Sequence, residues 1–356
     1  MDAMVGDAIG SGYATKTCET PARAVQISGP SGNGGLVGGA VQQHTLKSSI
    51  HCMGVGLHSG RKVSLGLHPA AAGTGIIFRR TDLGIDIPAR FDHVVDTRLC
   101  TVLADPAHPT ARIGTVEHVM AALAGCGVSN ALVTLDGPEA PILDGSAAGF
   151  TFLIDCAGLR AQHADAPVIE ILRSVVVQEG ESAAELHPGG TFPGLSATLS
   201  IDFAAAAIGS QEMSLDMTGE NFRSMLAPAR TFTQLHEVDQ LRRAGLALGG
   251  SLDNAVVVDG EKVLNPGGLR MADEFVRHKL LDVVGDLALA GAVLHGRFIG
   301  HRSGHAMNNR LLRAVFAEPA NWRLATEHDA STDDVPALSG RSGRQGNRMA
   351  IAAAPF

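Results

Sequence analysis

The chain has 356 residues, 45% hydrophobic and 18% charged, enough for two ordinary domains around a sizeable buried core. A net charge of −8, a single Trp and a single Tyr exclude a nucleic-acid module, which needs a basic footprint and an aromatic platform; a local basic pocket for an anionic ligand remains open. The five cysteines, Cys18, Cys52, Cys100, Cys126 and Cys156, are odd in number and form no CxxC, which excludes a disulfide framework and a four-cysteine metal site and points to a reducing, cytoplasmic setting.

In chain order, residues 1–41 read as a flexible tail, because Ser28-Gly-Pro-Ser-Gly-Asn-Gly-Gly-Leu-Val-Gly-Gly39 cannot build a core. The N-terminus lacks the basic and apolar regions of a signal peptide, and no run approaches the ~20 apolar residues that span a bilayer. Strand-like segments follow at 43–51, 62–67, 75–79, 101–103 and 131–136, with helices at 116–124 and 146–157. The polar stretch Gln162-His-Ala-Asp-Ala-Pro167 marks a linker. Beyond it, strands are predicted near 169–177, 183–187, 196–203, 254–258 and 292–301, a long periodic helix over 273–289, and a last helix over 305–316. Strands followed by helices in both halves predict two α+β domains, 42–161 and 167–320, open to being a duplication although no sequence identity links them. Residues 327–356 form a second polar tail, whose basic character leaves a transient membrane contact open.

The long helix carries the chemistry. Glu274, His278, Asp282 and Asp286 recur every four residues and so share one face. Residues one turn apart lie about 6 Å apart along the axis, so a His and an Asp at that spacing can converge on one metal ion. The same spacing also suits a solvated polar face paired with Arg277 and Lys279. A catalytic zinc site takes three protein ligands and leaves a position for water. The third candidate is His118 in Gly114-Thr-Val-Glu-His-Val-Met-Ala-Ala122, where Glu117 points about 100° away round the helix and can serve as general base. His305, opening a helix after Ser303-Gly304, is a candidate general acid, with Asp286 to orient it. Taken singly, Glu117 also reads as an ordinary helix-start carboxylate and His305 as a structural histidine.

Together these segments resemble the UDP-3-O-acyl-N-acetylglucosamine deacetylases of lipid A biosynthesis. The resemblance rests on Gly54-Val-Gly-Leu-His-Ser-Gly60, Thr115-Val-Glu-His118, Pro141-Ile-Leu-Asp-Gly-Ser-Ala147, Ala229-Arg-Thr-Phe232, Gly249-Gly-Ser251, the run from Asp273 to Leu287, and Gly304-His-Ala-Met-Asn308, in order over about residues 42–320. It implies two similar domains, each a small, mostly antiparallel sheet packed with helices, facing each other across the active site. It implies Zn2+, or Fe2+ with the same donors, on His118, His278 and Asp282, with Glu117 as base, His305 as acid and Asp286 tuning it. Thr231 would help hold the oxyanion. Lys279, Arg302 and Arg173 would bind substrate, Arg302 near the UDP phosphates and Arg173 near the nucleotide. Phe232, Gly250 and Ser251 also fall in substrate-binding motifs, and residues 246–269 resemble an insert that forms a greasy passage for the acyl chain. The implied substrate is a UDP-linked acylated glucosamine, and the chain is expected to act as a monomer.

Three departures bear on specificity. Gln234 stands where an apolar or aromatic residue is usual in the passage, Ala204 to Ala207 replace a His-Pro pair, and Arg173 replaces a Lys. They leave open a metalloamidase acting on a different N-acyl amino sugar; an inactive scaffold would have no reason to keep Glu117 together with His305.

Overall fold

Alternating burial sets the strands: in Lys62–Pro69, Val63, Leu65 and Leu67 turn into the core while their neighbours turn outward. The structure, a computed structural model, describes residues 42–325. The first half runs β1 (Gln42–Leu46), β2 (Ile50–Val55), β3 (Lys62–Pro69), β4 (Ile76–Arg80), β5 (Ile85–Pro88), β6 (Val94–Asp96), β7 (Val102–Asp105), β8 (His108–Ile113), α1 (Glu117–Gly125), β9 (Ala131–Leu135), α2 (Ala148–Ala157) and β10 (Leu159–Asp165). The second half runs β11 (Val168–Ile171), β12 (Val175–Glu179), β13 (Ser182–Pro188), β14 (Leu195–Asp202), β15 (Ser210–Asp216), α3 (Gly219–Asn221), β16 (Phe232–Gln234), α4 (Leu235–Arg243), β17 (Val256–Asp259), β18 (Lys262–Val263), α5 (Glu274–Leu287), β19 (Val293–His301), α6 (His305–Ala317) and β20 (Trp322–Ala325).

The two halves repeat one topology. The first sheet has the order β2-β3-β9-β4-β5, and the second contains β12-β13-β19-β14-β15. The pairing senses match strand for strand. The central strand, β9 or β19, is antiparallel to one neighbour and parallel to the other, and both outer pairs are antiparallel. A helix precedes each central strand (α1, α5) and another follows it (α2, α6). The protein is therefore α+β with two similar, mostly antiparallel domains. The second sheet is widened by β11 and β20, and each domain has its own addition: the β6-β7-β8 sheet in the first, the β16-β17-β18 sheet with α4 in the second.

Helices α1 and α5 pack directly on each other. Gly285 permits this: a Cβ there would lie 2.0 Å from the Glu117 carbonyl oxygen. One contiguous apolar core runs through both domains, with Phe78 and Phe150 buried in the first and Phe275 and Phe298 in the second.

The sequence-based elements hold with four corrections. The predicted strand 43–51 breaks into β1 and β2, and 169–177 into β11 and β12, because the chain turns at polar residues between them. The predicted linker is largely strand: β10 runs to Asp165 and pairs with β1, Gln162 accepts a bond from Asn130 Nδ2 (2.8 Å), and its own amide donates to the Ala70 carbonyl (2.9 Å). Its polar composition reflects outward-facing side chains, not looseness. The second domain passes residue 320, since β20 pairs with β11. Both predicted tails and Cys18 lie outside the described residues, where Cys52, Cys100, Cys126 and Cys156 are free thiols. Among the described residues no helix is long and apolar enough to cross a membrane.

Candidate metal centre and active site

Each domain contributes the helix that precedes its central strand. His118 lies in the first turn of α1, and His278 and Asp282 lie one turn apart on α5. One donor atom from each falls within 4.8 Å of the others. Asp282 Oδ1 lies 3.4 Å from His278 Nε2 and 3.8 Å from His118 Nε2, and the two rings meet edge to face at 5.1 Å. His278 Nδ1–H donates to the Ala229 carbonyl (3.1 Å), which leaves Nε2 with its lone pair directed at the cluster.

All three side chains are at least 95% buried, and Asp282 Oδ1 has no hydrogen-bond partner. A buried carboxylate oxygen without a partner, set between two imidazoles, is costly unless a cation compensates it. The protonation states agree. Burial, with His278 nearby, pushes His118 down to about 3, so it is neutral at physiological pH. Burial alone would raise Asp282, but His278 and Lys279 outweigh it and hold the carboxyl well below the usual range. The donor set is thus in the form a divalent cation takes, and it fits the metal inferred from the sequence.

The surrounding pocket brings together Glu117, Thr231 and His305, with Leu57, His58, Leu99, Cys100, Thr115 and Ile142 completing its wall. Thr115, in the turn before α1, adopts the left-handed φ of +56°, a strained conformation fixed by its hydroxyl on Glu139 (3.2 Å). Glu117 is buried at the helix start; burial, reinforced by Asp282 and Asp286 and opposed by His305, pushes its carboxyl up to about 7. Its Oε2 accepts the Thr101 backbone N–H (3.0 Å). His305 Nδ1 meets Asp286 Oδ2 at 2.8 Å. Asp286 also accepts from Asn308 Nδ2 (2.9 Å) and the Thr101 hydroxyl (2.6 Å), and Ser303 Oγ braces Asn308 (2.6 Å).

The remaining sequence-predicted residues lie outside the pocket wall. Lys279 is buried with Nζ 3.1 Å from Asp282 Oδ2. Phe232 packs behind the cluster, its ring 6.3 Å from that of His278. Arg173 and Arg302 are exposed, and Arg302, at φ +48°, pairs with Glu181. Gly249 and Gly250 seat the predicted insert on the first-domain loop: Gly249 N–H donates to the Leu57 carbonyl (3.0 Å), and a Cβ at Gly249 would meet the Gly56 oxygen at 2.3 Å. Ser251 turns outward, its backbone N–H on Asn254 Oδ1 (2.8 Å). Gln234 is the N-cap of α4, and its backbone N–H donates to Glu237 Oε2 (3.1 Å). Sequence reasoning gave no role to His58, Thr101 and Asn308. His58 and Asn308 sit inside quoted motifs, whereas nothing in the sequence marks Thr101.

The sequence model of the UDP-3-O-acyl N-acetylglycosamine deacetylase family matches residues 43–317. This chain belongs to that family. Two similar relatives of this deacetylase family both bear the name UDP-3-O-acyl-N-acetylglucosamine deacetylase. That of Acidithiobacillus ferrooxidans is 50% identical over 288 residues, which is 80% of this chain and 93% of the relative. That of Pseudomonas entomophila is 46% identical over 299 residues, 83% of this chain and 97% of the relative. The deacetylase family is a metalloenzyme family, in keeping with the His-His-Asp donor set found here.

Proposed function

We propose that the chain removes the acetyl group of UDP-3-O-acyl-N-acetylglucosamine by zinc-dependent hydrolysis, giving acetate and the free amine in lipid A biosynthesis. The observation that carries this reading is the convergence of His118, His278 and Asp282 within 4.8 Å in a pocket also lined by Glu117, Thr231 and His305. The relatives' names supply the substrate class.

His118, His278 and Asp282 would hold the metal and leave a position open. Zinc, when bound, supplies Lewis acidity that polarises an amide carbonyl and lowers the pKa of water; Fe2+ suits the same donors. Glu117 takes a proton from the attacking water. The Thr231 hydroxyl donates to the developing oxyanion. His305 gives its proton to the departing amine, and Asp286 holds the imidazole in place and stabilises its charged form. Lys279 binds substrate beside the metal site, and Arg173 and Arg302 supply positive charge for the nucleotide. Gly250 and Ser251 belong to the insert that takes the acyl chain, whose burial contributes about 0.8 kcal/mol per CH2, and Phe232 lies in a substrate-binding motif. We further propose that the domains divide after β10, at residues 166–167, and that the chain works as a cytoplasmic monomer.

Acetate release from acylated and non-acylated UDP-N-acetylglucosamine tests the substrate. With an acyl chain of ten or more carbons, kcat/KM is expected to be at least about a hundredfold higher for the acylated form. Equal hydrolysis of both would favour a metalloamidase for a different N-acyl amino sugar, a reading that Gln234, polar where an apolar or aromatic residue is usual, keeps in play.

A further inference from the structure

We infer that Thr101 is a positioning residue that ties the general base to the general acid, an inference that rests on the deacetylase reading above. Thr101 is 1% exposed and immediately precedes β7 in the first domain. Its two donors go to two different catalytic assemblies. The backbone N–H holds Glu117 Oε2 at 3.0 Å, and the hydroxyl holds Asp286 Oδ1 at 2.6 Å. Glu117 belongs to α1 of the first domain and Asp286 to α5 of the second, so the residue bridges the seam on which the site is built.

The second contact has the chemistry of a positioning bond. An O–H donating to a carboxylate at 2.6 Å is a short, charge-assisted hydrogen bond. The other oxygen of Asp286 is already shared by His305 Nδ1 (2.8 Å) and Asn308 Nδ2 (2.9 Å). With Oδ1 fixed by Thr101, the carboxylate cannot turn about its Cβ–Cγ bond, and His305 is held in one plane. Without the hydroxyl, Asp286 keeps its contacts on one oxygen only and is free to swing, taking the imidazole with it. The Thr101 carbonyl also accepts the Val116 N–H (3.4 Å), so the same residue holds the start of α1 from which Glu117 projects. Asp286 was legible as the partner of His305; the group that orients Asp286 comes from 185 residues away.

The test uses the full-length, metal-loaded chain and acetate release. Thr101→Val keeps the backbone donor and the shape but removes the hydroxyl. It is expected to lower kcat about ten- to hundredfold, the usual cost of losing an outer-shell partner, with KM within about twofold and one metal ion per chain retained. Thr101→Ser should recover to within about threefold of wild type. In an Asp286→Asn background, where the carboxylate is already gone, Thr101→Val should add less than about a twofold further loss, because coupled residues are not additive. Should the valine variant fail to accumulate, Thr101→Ala carries the same comparison. Wild-type kcat in both Thr101→Val and Thr101→Ala, or a full multiplicative loss in the Asp286→Asn background, overturns the inference while leaving the deacetylase reading intact. A wild-type chain that releases no acetate from the acylated substrate overturns that reading, and the role of Thr101 falls with it.

Discussion

Glu117 is a carboxyl group with little access to water, and in the proposed mechanism its working form is the anion. Burial comes first among the causes that push it up to about 7. The sign follows: the base is competent above its pKa, and kcat/KM falls about tenfold per pH unit below it. A divalent cation nearby favours the anion, so the acid limb of the metal-loaded enzyme should lie between about pH 5 and 7. Glu117→Gln is expected to lower turnover by at least about two orders of magnitude and to remove this limb, while metal content stays at one per chain. A pH profile flat down to pH 5 for the wild type, or near-normal turnover in the variant, would contradict the assignment. At this scale the sequence was partly readable. The i, i+4 spacing of His278 and Asp282 needs only helix geometry, and Glu117–His118 stood out as adjacent groups of complementary use. His118 was a candidate third ligand from its place beside Glu117 at a helix start, and the family resemblance singled it out, since no local spacing connects it to His278 and Asp282. Thr101 was invisible because its contribution comes as much from its backbone N–H as from its side chain.

Between elements, the decisive contact is α1 against α5, and its gatekeeper is a glycine. A Cβ at Gly285 would lie 2.0 Å from the Glu117 carbonyl oxygen, a backbone atom that cannot step aside alone. Gly285→Ala must therefore push α1 away, and His118 moves with it. Metal analysis should find well under one ion per chain, with turnover reduced at least about a hundredfold, since a misplacement of roughly 1 Å has that effect. Gly267→Ala, where nothing lies within 4 Å, serves as the neutral control. Full metal occupancy and normal rate in Gly285→Ala would show that the helix contact does not set the site. Gly285 could be noticed in sequence as an interruption of an otherwise strong helix, but its partner could not. The long apolar helix and the alternating strands were legible from periodicity, and the breaks between β1 and β2 and between β11 and β12 were not, because residues on both sides keep strand character. The strand β10 was masked by its polar outward face.

Over the whole molecule, two copies of one topology are set so that equivalent helices meet at the seam, and the donor set is divided between them: one ligand from α1, two from α5. The repeat is not visible in residue identity and shows in strand order and pairing sense. A metal bound there joins the domains as well as serving the reaction, and binding to the folded state alone stabilises it by about 4 kcal/mol at a thousandfold excess over Kd. The most direct test of the account is acetate release from the acylated UDP-sugar during removal and return of zinc. The expected result is that activity is lost as the chelator strips the metal, and returns in proportion to added zinc with a break at one equivalent per chain. Acetate release that persists in protein shown to hold no metal would contradict it.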